Sequence, residues 1–286
     1  KPNPVAPFTT SSMQQEAYRK HGLLTKKTMQ LAQQLFEGIS IGKQGVVGLI
    51  TYMRTDSTRI APDVQKQARE FIAEQYGPEY IPAEPRVYQS KGKIQDAHEA
   101  IRPTDVTRRP AEVRQYLTPQ QFKLYKLIWE RFVASQMSSA VIDTTTVDLL
   151  NGRYTFRASG SVIRFPGFMQ LYIEGQDNED EKEDLGLLPA LQQGQSLQAE
   201  KLDPKQHFTA PPPRYTEAML VKTLEEKGVG RPSTYAPIVD TIIGRGYVVR
   251  EDKHFYSTEL GMVVVNMLKE GFPDIIDIDF TAGLEA

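Results

Sequence analysis

The spacing of apolar residues changes near Ala140, from a helical period to strict alternation. Before that point apolar residues recur every three or four positions, which is typical of helices packed on a core. Caps and prolines there predict helices ending at about Lys20, from a Thr25 cap to about Glu37, from Pro62 to about Tyr76, and from a Thr118 cap to about Ser138, the last with Trp129 as a packing residue. From 141 to 173 they alternate with polar residues, and Asn151-Gly152 is a strong hairpin signal. Strands are therefore predicted at 141–150, 154–159, 161–165 and 169–173, with a further strand at 197–202. Helical spacing returns after the prolines at 211–213, which indicate a stiff linker. The chain therefore predicts an α+β multidomain protein.

Composition narrows the class of protein. With 40% hydrophobic and 24% charged residues, the 286-residue chain is typical of a soluble protein with a real core. No apolar run approaches the ~20 residues of a membrane span, and no secretory leader is evident. The absence of cysteine excludes disulfides, thiolate zinc sites and cysteine nucleophiles. These features predict a cytoplasmic protein, and the proline-rich start without methionine suggests a piece of a longer one.

The charge is unevenly distributed. The net charge is −2, but residues 174–184 hold seven acids and a single lysine, so the remainder of the chain is basic. This pattern predicts an acidic, solvated connection that is separate from a basic surface suited to DNA.

A tyrosine and an arginine directly follow the apolar run Val46–Ile50, which is predicted to be a buried strand. Tyr52 offers a hydroxyl nucleophile, and Arg54 offers a cation that pairs with phosphate oxygens and stabilises the charge developing on them. This pair suits attack on a phosphodiester. The alternative is that Tyr52 only caps the strand and Arg54 pairs with Asp56.

A second group of candidate residues lies at 96–104, with the sequence DAHEAIRPT. His98 can change charge near neutral pH, which suits proton transfer or a phosphate contact. A carboxylate, Glu99, and a cation, Arg102, lie in the same segment. A surface His98–Glu99 pair without a role is the alternative. The segment 38–43 is one residue short of a phosphate-binding P-loop and lacks its Ser or Thr, so no ATP site is predicted.

The part after the proline triplet predicts two helices followed by a hairpin. Pro237 must lie in the first turn of the second helix, with Ser233 or Thr234 as its cap. The free N–H groups of that turn favour an anion, and Arg231 and Arg245 lie near the two ends. Helix, helix and hairpin in this order are typical of a winged helix, a nucleic-acid-binding form, though a helical pair without a ligand fits equally.

Three segments resemble the type IA DNA topoisomerases, closest to the bacterial members. They are LITYMRTDS at 49–57, DAHEAIRPT at 96–104 and PPRYTEAMLVKTLEEKGVGRPSTYA at 212–236. They occur in the order that the family has, and PFTTS at 7–11 also resembles it. The resemblance spans nearly the whole chain.

The resemblance implies that Tyr52 forms a transient 5′-phosphotyrosyl link to one DNA strand, with Arg54 and His98 as further catalytic residues. Passage of the other strand and resealing by the free 3′-hydroxyl would relax negative supercoils without ATP. The resemblance further implies that Arg102 anchors a phosphate and that Glu99 only orients its neighbours. The implied DNA contacts are Arg54, Arg102, Arg231, Ser233, Thr234, Arg245 and Gly271.

The resemblance also implies a fold that forms part of a toroidal core. A lead-in at 1–11 would belong to the arch domain, 12–138 would be a helical domain carrying the tyrosine, and 139–208 would be the β-rich arch. Residues 209–286 would be an incomplete, helical, winged-helix-like domain that carries the single-strand DNA groove.

The remaining implications concern cofactors and partners. A Toprim domain with the Mg²⁺ ligands is expected upstream, so this piece should be monomeric, bind single-stranded DNA weakly and not cleave it. A nucleoid-associated location in the cytoplasm is expected. No metal ligand is predicted within the chain, because Asp277 and Asp279 lack the family's third acid, whose place is taken by Thr281.

Two other classes of protein compete with this interpretation. One is a non-catalytic winged-helix DNA-binding protein in which Tyr52 is structural. The other is a tyrosine recombinase, which would place an Arg–His–Arg set ahead of the tyrosine, whereas His98 and Arg102 follow it.

Overall fold

The computed structural model describes residues 2–89, 98–177 and 188–285. Asp96 and Ala97 of the second motif, and the acidic stretch from 178 to 187, lie outside the described residues.

The N-terminal part is a helical unit, as the apolar spacing predicts. Its helices are α1 (Thr10–His21), α2 (Thr25–Glu37), α3 (Pro62–Tyr76), α4 (Pro110–Val113) and α5 (Pro119–Ser135). Local signals set their ends: Thr9 and Thr118 form capping boxes, and Gly22 ends α1 in the left-handed conformation at φ 63°. These boundaries confirm the prediction to within a few residues.

The core of this unit is built around α5. Its residues Leu124, Ile128 and Phe132 are fully buried and pack with the inner faces of α1, α2 and α3. The ring of Trp129 packs edge-on against Phe71 at 5.7 Å, and its indole N–H donates to the Val106 carbonyl at 2.9 Å. The prediction that this tryptophan serves packing is confirmed.

The strand before Tyr52 is shorter than predicted. Strand β1 (Ile39–Ser40) pairs antiparallel with β2 (Val46–Val47), and Val46 is 72% exposed. Only Leu49 and Ile50 of the apolar run are buried. The prediction of a buried strand over 46–50 is therefore wrong at its start, because that part forms the outer edge of a two-stranded hairpin.

The predicted β-rich region contains one long hairpin. Strand β3 (Val141–Asn151) pairs antiparallel with β4 (Tyr154–Phe165) around the Asn151-Gly152 turn. The two predicted strands 154–159 and 161–165 are one continuous strand.

Two further strand predictions in this region are wrong. Residues 169–173 are not a strand, because Phe168 and Tyr172 are buried in the helical core after a 3₁₀ turn at Gly167–Gln170. Residues 197–202 are exposed and form no strand, because alternation without a partner strand does not make a sheet.

The C-terminal part has the predicted order of helix, helix and hairpin. It contains α6 (Glu217–Glu226), α7 (Tyr235–Gly244), β5 (Val248–Glu251), β6 (His254–Ser257), α8 (Glu259–Gly271) and α9 (Ile278–Glu285). Val221, Tyr235, Val239 and Phe255 form its small core. Asp252 and Lys253 adopt positive φ angles of 44° and 69° at the hairpin turn, between paired residues Glu251 and His254.

The two helical units are joined by polar contacts between α1–α2 and α6–α7. Ser11 donates to Glu225 at 2.9 Å, and Lys26 pairs with Asp240 at 2.8 Å. Thr25 is the first residue of α2 rather than its predicted cap. Its backbone N–H and its hydroxyl both donate to the carboxylate of Glu217, at 2.8 and 2.6 Å, so a side chain 192 residues away caps this helix.

Candidate active site

Backbone pairing brings the Tyr52 segment and the His98–Arg102 segment together. The Thr51 N–H donates to the Arg102 carbonyl at 2.9 Å, and the Thr51 hydroxyl donates to the Ala100 carbonyl at 2.7 Å. The Arg102 N–H in turn donates to the Thr51 hydroxyl at 3.0 Å. Two motifs about fifty residues apart in sequence are thereby fixed side by side.

The start of α1 anchors the same two segments. The Ile101 N–H donates to the Phe8 carbonyl at 2.8 Å, and the Thr10 hydroxyl donates to the Met53 carbonyl at 2.7 Å. The Thr55 N–H donates to the Thr10 hydroxyl at 2.9 Å. The backbone on both sides of Tyr52 is therefore held by hydrogen bonds that do not involve the Tyr52 side chain.

Tyr52 presents its phenol at the surface. The residue is 42% exposed, while its neighbour Met53 is fully buried. The ring packs edge-on against Phe36 near the end of α2, with centroids 5.4 Å apart and planes at 69°. An anchored backbone with an accessible hydroxyl is the arrangement that a nucleophile requires.

Two of the other tyrosines, Tyr88 and Tyr235, are poorly placed for the same chemistry. Burial raises the pKa of Tyr88 to about 12, and burial, reinforced by the charge of Glu225, raises the pKa of Tyr235 to about 12. Such phenols resist ionisation and are shielded from a large substrate.

Arg54 faces a cavity of about 950 Å³ between α2 and the start of α7. Ser233 lines the same cavity, so the structure brings these two predicted DNA contacts together. Within the described residues Arg54 has no ion-pair partner, which disfavours the alternative of an Arg54–Asp56 pair.

Arg102 is already engaged by protein groups. It is 8% exposed, and its guanidinium donates to Glu99 at 2.7 and 3.0 Å and to the Pro103 carbonyl at 3.0 Å. Glu99 thus orients Arg102, and a phosphate at Arg102 would have to compete with that carboxylate. His98 is half-buried. It lies two residues before Ala100, whose carbonyl accepts the hydrogen bond from the Thr51 hydroxyl.

The start of α7 follows the prediction with one difference. Thr234 is the N-cap and Pro237 lies in the first turn. The Thr234 hydroxyl accepts from the Arg231 N–H at 2.7 Å and makes no hydrogen bond to a helix N–H. The Arg231 side chain donates to the Gly230 carbonyl at 2.9 Å and lies 3.5 Å from Glu285, so it points toward α9.

Arg245 and Gly271 lie apart from this group. Arg245 is exposed at the other end of α7, about 15 Å along a ten-residue helix from its first turn. Gly271 is the exposed last residue of α8. Neither residue lines the cavity.

Sequence reasoning missed the polar wall of the cavity on α2. Lys26, Gln30, Gln33 and Glu37 line it, spaced by four, three and four residues. That spacing places them on one helix face, opposite the buried Leu31 and Leu35, and it could have predicted a polar surface facing another element.

The described residues do not offer a metal site. Among them no group of three or more His, Cys, Asp or Glu side chains is placed to hold a metal ion. The Asp277 carboxylate instead accepts from the Phe280 N–H at 2.8 Å at the start of α9. No helix in the described ranges is both long and apolar enough to cross a membrane.

The comparison with known proteins decides the family. The family model for DNA topoisomerases matches residues 1–286. This chain belongs to the type IA DNA topoisomerase family. It is 38% identical to the full-length topoisomerase I from Thermotoga maritima, with a TM-score of 0.83. The match covers 100% of this chain and 45% of that one, so the present topoisomerase chain spans less than half of its relative.

The shared fold accounts for the architecture described above. The helices and small sheets of this chain match a type IA topoisomerase fold, which confirms the predicted α+β class. The boundaries proposed at 138/139 and 208/209, and the roles of the individual site residues, stay predictions.

Proposed function

We propose that Tyr52 is the nucleophile of a type IA topoisomerase. Its phenolic oxygen attacks a phosphodiester of one DNA strand, a bond forms from that oxygen to phosphorus, and the bond from phosphorus to the 3′-oxygen breaks. The phenol loses a proton and the released 3′-hydroxyl gains one. The other strand passes through the gap, and the 3′-hydroxyl reverses the reaction, so negative supercoils relax without ATP.

The observation that carries this proposal is the hydrogen-bonded pairing of Thr51 with Ala100 and Arg102. It places an exposed phenol beside a segment that carries an arginine and a histidine. Arg54 stabilises the charge on the phosphate, Arg102 anchors a phosphate once Glu99 releases it, and His98 transfers a proton or contacts phosphate.

Single-stranded DNA is the proposed partner of this surface. Arg54 and Ser233 meet at one cavity, which supports a strand running between α2 and α7. Arg231 and Thr234 contact the backbone beside it, and Arg245 and Gly271 belong to more distant parts of the strand path. Weak, salt-dependent binding is expected, because phosphate contacts release counterions.

Cleavage itself is proposed to need a separate Toprim domain. The described residues do not fit a Mg²⁺ site, so the carboxylates for Mg²⁺ would come from that domain. The chain alone is proposed to bind single-stranded DNA as a monomer without cutting it, in association with the nucleoid.

The decisive experiment combines the chain with a Toprim domain, Mg²⁺ and a labelled single-stranded oligonucleotide. A protein–DNA adduct that resists denaturant is expected, and Tyr52→Phe should abolish it. Tyr116→Phe is the matched control, since Tyr116 is 39% exposed against 42% for Tyr52. An adduct that persists in Tyr52→Phe would overturn the assignment of the nucleophile.

The order of α6, α7, β5 and β6 favours one other candidate function, a non-catalytic winged-helix DNA-binding protein. That protein would bind DNA but form no adduct with any added domain, and Tyr52→Phe would leave its DNA affinity unchanged.

A further inference from the structure

An ion pair joins the two walls of the cavity between α2 and α7. Lys26 on α2 and Asp240 on α7 both line the cavity, and the Lys26 Nζ atom lies 2.8 Å from the Asp240 Oδ2 atom. The proposed path of the single strand runs between the same two helices, so the ion pair lies across that path. A strand that fills the cavity must therefore pass this pair or replace it.

The charges that line the cavity cancel. Two cations, Lys26 and Arg54, face two carboxylates, Glu37 and Asp240. Glu37 accepts from the Gln33 amide at 2.5 Å, and within the described ranges Arg54 has no ion-pair partner. Releasing Lys26 from Asp240 would therefore give the cavity a second cation for phosphate, in addition to Arg54.

The Lys26–Asp240 pair can open at little cost. The two side chains are 63% and 54% exposed, and ion pairs as exposed as this contribute little to stability. Each partner returns to water when the pair separates, so no buried charge is left without compensation. The Lys26 ammonium ends a flexible stem, which lets it follow a phosphate that enters beside it.

We propose that a phosphate of the single strand replaces Asp240 at Lys26, so that Lys26 is a DNA contact and Asp240 is its counter-ion in the free protein. This inference rests on the proposed function, because that function places the strand between α2 and α7. Lys26 precedes Phe36 on α2 by about 15 Å along the helix, and Phe36 packs against Tyr52. Lys26 therefore holds the flanking strand rather than the phosphate that reacts.

A salt series of DNA affinities tests the contact. Fluorescence anisotropy of the 286-residue chain with a labelled single-stranded oligonucleotide gives the slope of log affinity against log salt concentration. Lys26→Met removes the ammonium and keeps an unbranched side chain, so the slope should fall by the amount that about one phosphate contact contributes. Lys27→Met is the matched control. It removes the same charge from the next residue, which does not line the cavity, so the slope should stay unchanged.

Asp240→Asn tests the exchange of partners. This variant lacks the competing carboxylate and should bind the oligonucleotide about threefold more tightly than the unmodified chain, a gain that misfolding cannot produce. Lys26→Met should in turn weaken binding more in the Asp240→Asn background than in the unmodified chain, because only the unmodified chain gives up the ion pair on binding.

Two results would overturn the inference alone. One is an unchanged slope in Lys26→Met, and the other is an equal loss of affinity from Lys26→Met in both backgrounds. Failure of the unmodified chain to bind any single-stranded oligonucleotide would overturn the proposed DNA path as well.

Discussion

Gly48 sits where the Tyr52 segment crosses the end of α2. A Cβ atom at this position would lie 2.6 Å from the carbonyl oxygen of Phe36, a backbone atom that cannot rotate away. The adjacent hydrogen bond, from the Leu49 N–H to the Leu35 carbonyl at 2.7 Å, holds the two backbones in this close contact. Close backbone approach at this point therefore requires glycine.

Gly48→Ala is expected to lower the free energy of unfolding by about 1–3 kcal/mol, because overpacking forces the two backbones apart. Denaturant unfolding measures the change. Gly283→Ala, within α9, is the control, since a Cβ there meets nothing within 4 Å, and it should leave stability equal or slightly higher. Equal stability of both variants would contradict the close contact.

Glu99 and Arg102 allow a second test at single residues. Glu99→Gln removes the carboxylate that neutralises Arg102, freeing its charge for a DNA phosphate. We expect tighter binding of single-stranded DNA. The plot of log affinity against log salt concentration should also become steeper, by the amount that about one added phosphate contact contributes. Glu70→Gln on α3 is the control, because its pair with Lys66 is exposed. An unchanged slope in Glu99→Gln would show that Arg102 does not meet phosphate.

At the scale of elements, one carboxylate links three of them. Glu217 of α6 is 2% exposed, caps the start of α2 through Thr25, and pairs with Arg250 of β5 at 3.0 Å. Its charge is compensated on both sides, so removing it leaves a guanidinium and a helix end without their acceptor.

Glu217→Ala is expected to destabilise the protein by about 2–4 kcal/mol, because the N–H and hydroxyl of Thr25 lose their charged acceptor. Arg250 contributes less to this loss, because its side chain is 34% exposed and can turn to water. Chemical denaturation followed by circular dichroism measures this loss. Glu226→Gln, on the same helix but in an exposed pair with Lys222, should change stability by less than about 1 kcal/mol. If the free energy of unfolding falls only slightly in Glu217→Ala, water satisfies the groups that the carboxylate bound, which would contradict this prediction.

The elements also show what sequence patterns can and cannot predict. The ends of α1, α3 and α5 are set by caps and prolines within a few residues of each helix, so the sequence around each end predicts them. The cap of α2 was missed because its acceptor comes from Glu217, far along the chain. Residues 169–173 were wrongly predicted as a strand because burial of Tyr172 in the helical core overrides alternation.

The same distinction applies to the candidate site. Tyr52, Arg54 and Ser233 could be selected from their motifs, and the structure adds the pairing of Thr51 with Arg102 and the shared cavity. Lys26 was not selected. Its partner Asp240 lies on α7, far along the chain, so no pattern within α2 contains the ion pair.

At the scale of the whole molecule, 188–214 is the longest exposed stretch without helix or strand among the described residues, so it is a favourable site for protease cleavage. Within it, Lys201 and Lys205 are exposed. Limited trypsin digestion should cut there well before α5, whose backbone is hydrogen-bonded and buried.

The nicked chain is expected to stay associated under native conditions, because Ser11, Thr25 and Lys26 contact α6 and α7. Size exclusion should give one peak, and a denaturing gel should give two fragments. In Glu217→Ala the same fragments should separate more readily. Spontaneous separation in the unmodified protein would contradict an interface held by these contacts.

The contacts that fix the backbone around Tyr52 are separate from its reactive hydroxyl group. The hydrogen bonds that tie this segment to its neighbours involve Thr10, Thr51 and Thr55, and none uses the phenol. The side chain at position 52 can therefore be replaced without removing any of the hydrogen bonds that fix the backbone around it. A protein engineer could install another nucleophile there, and evolution could vary the reaction, without redesigning the fold around it.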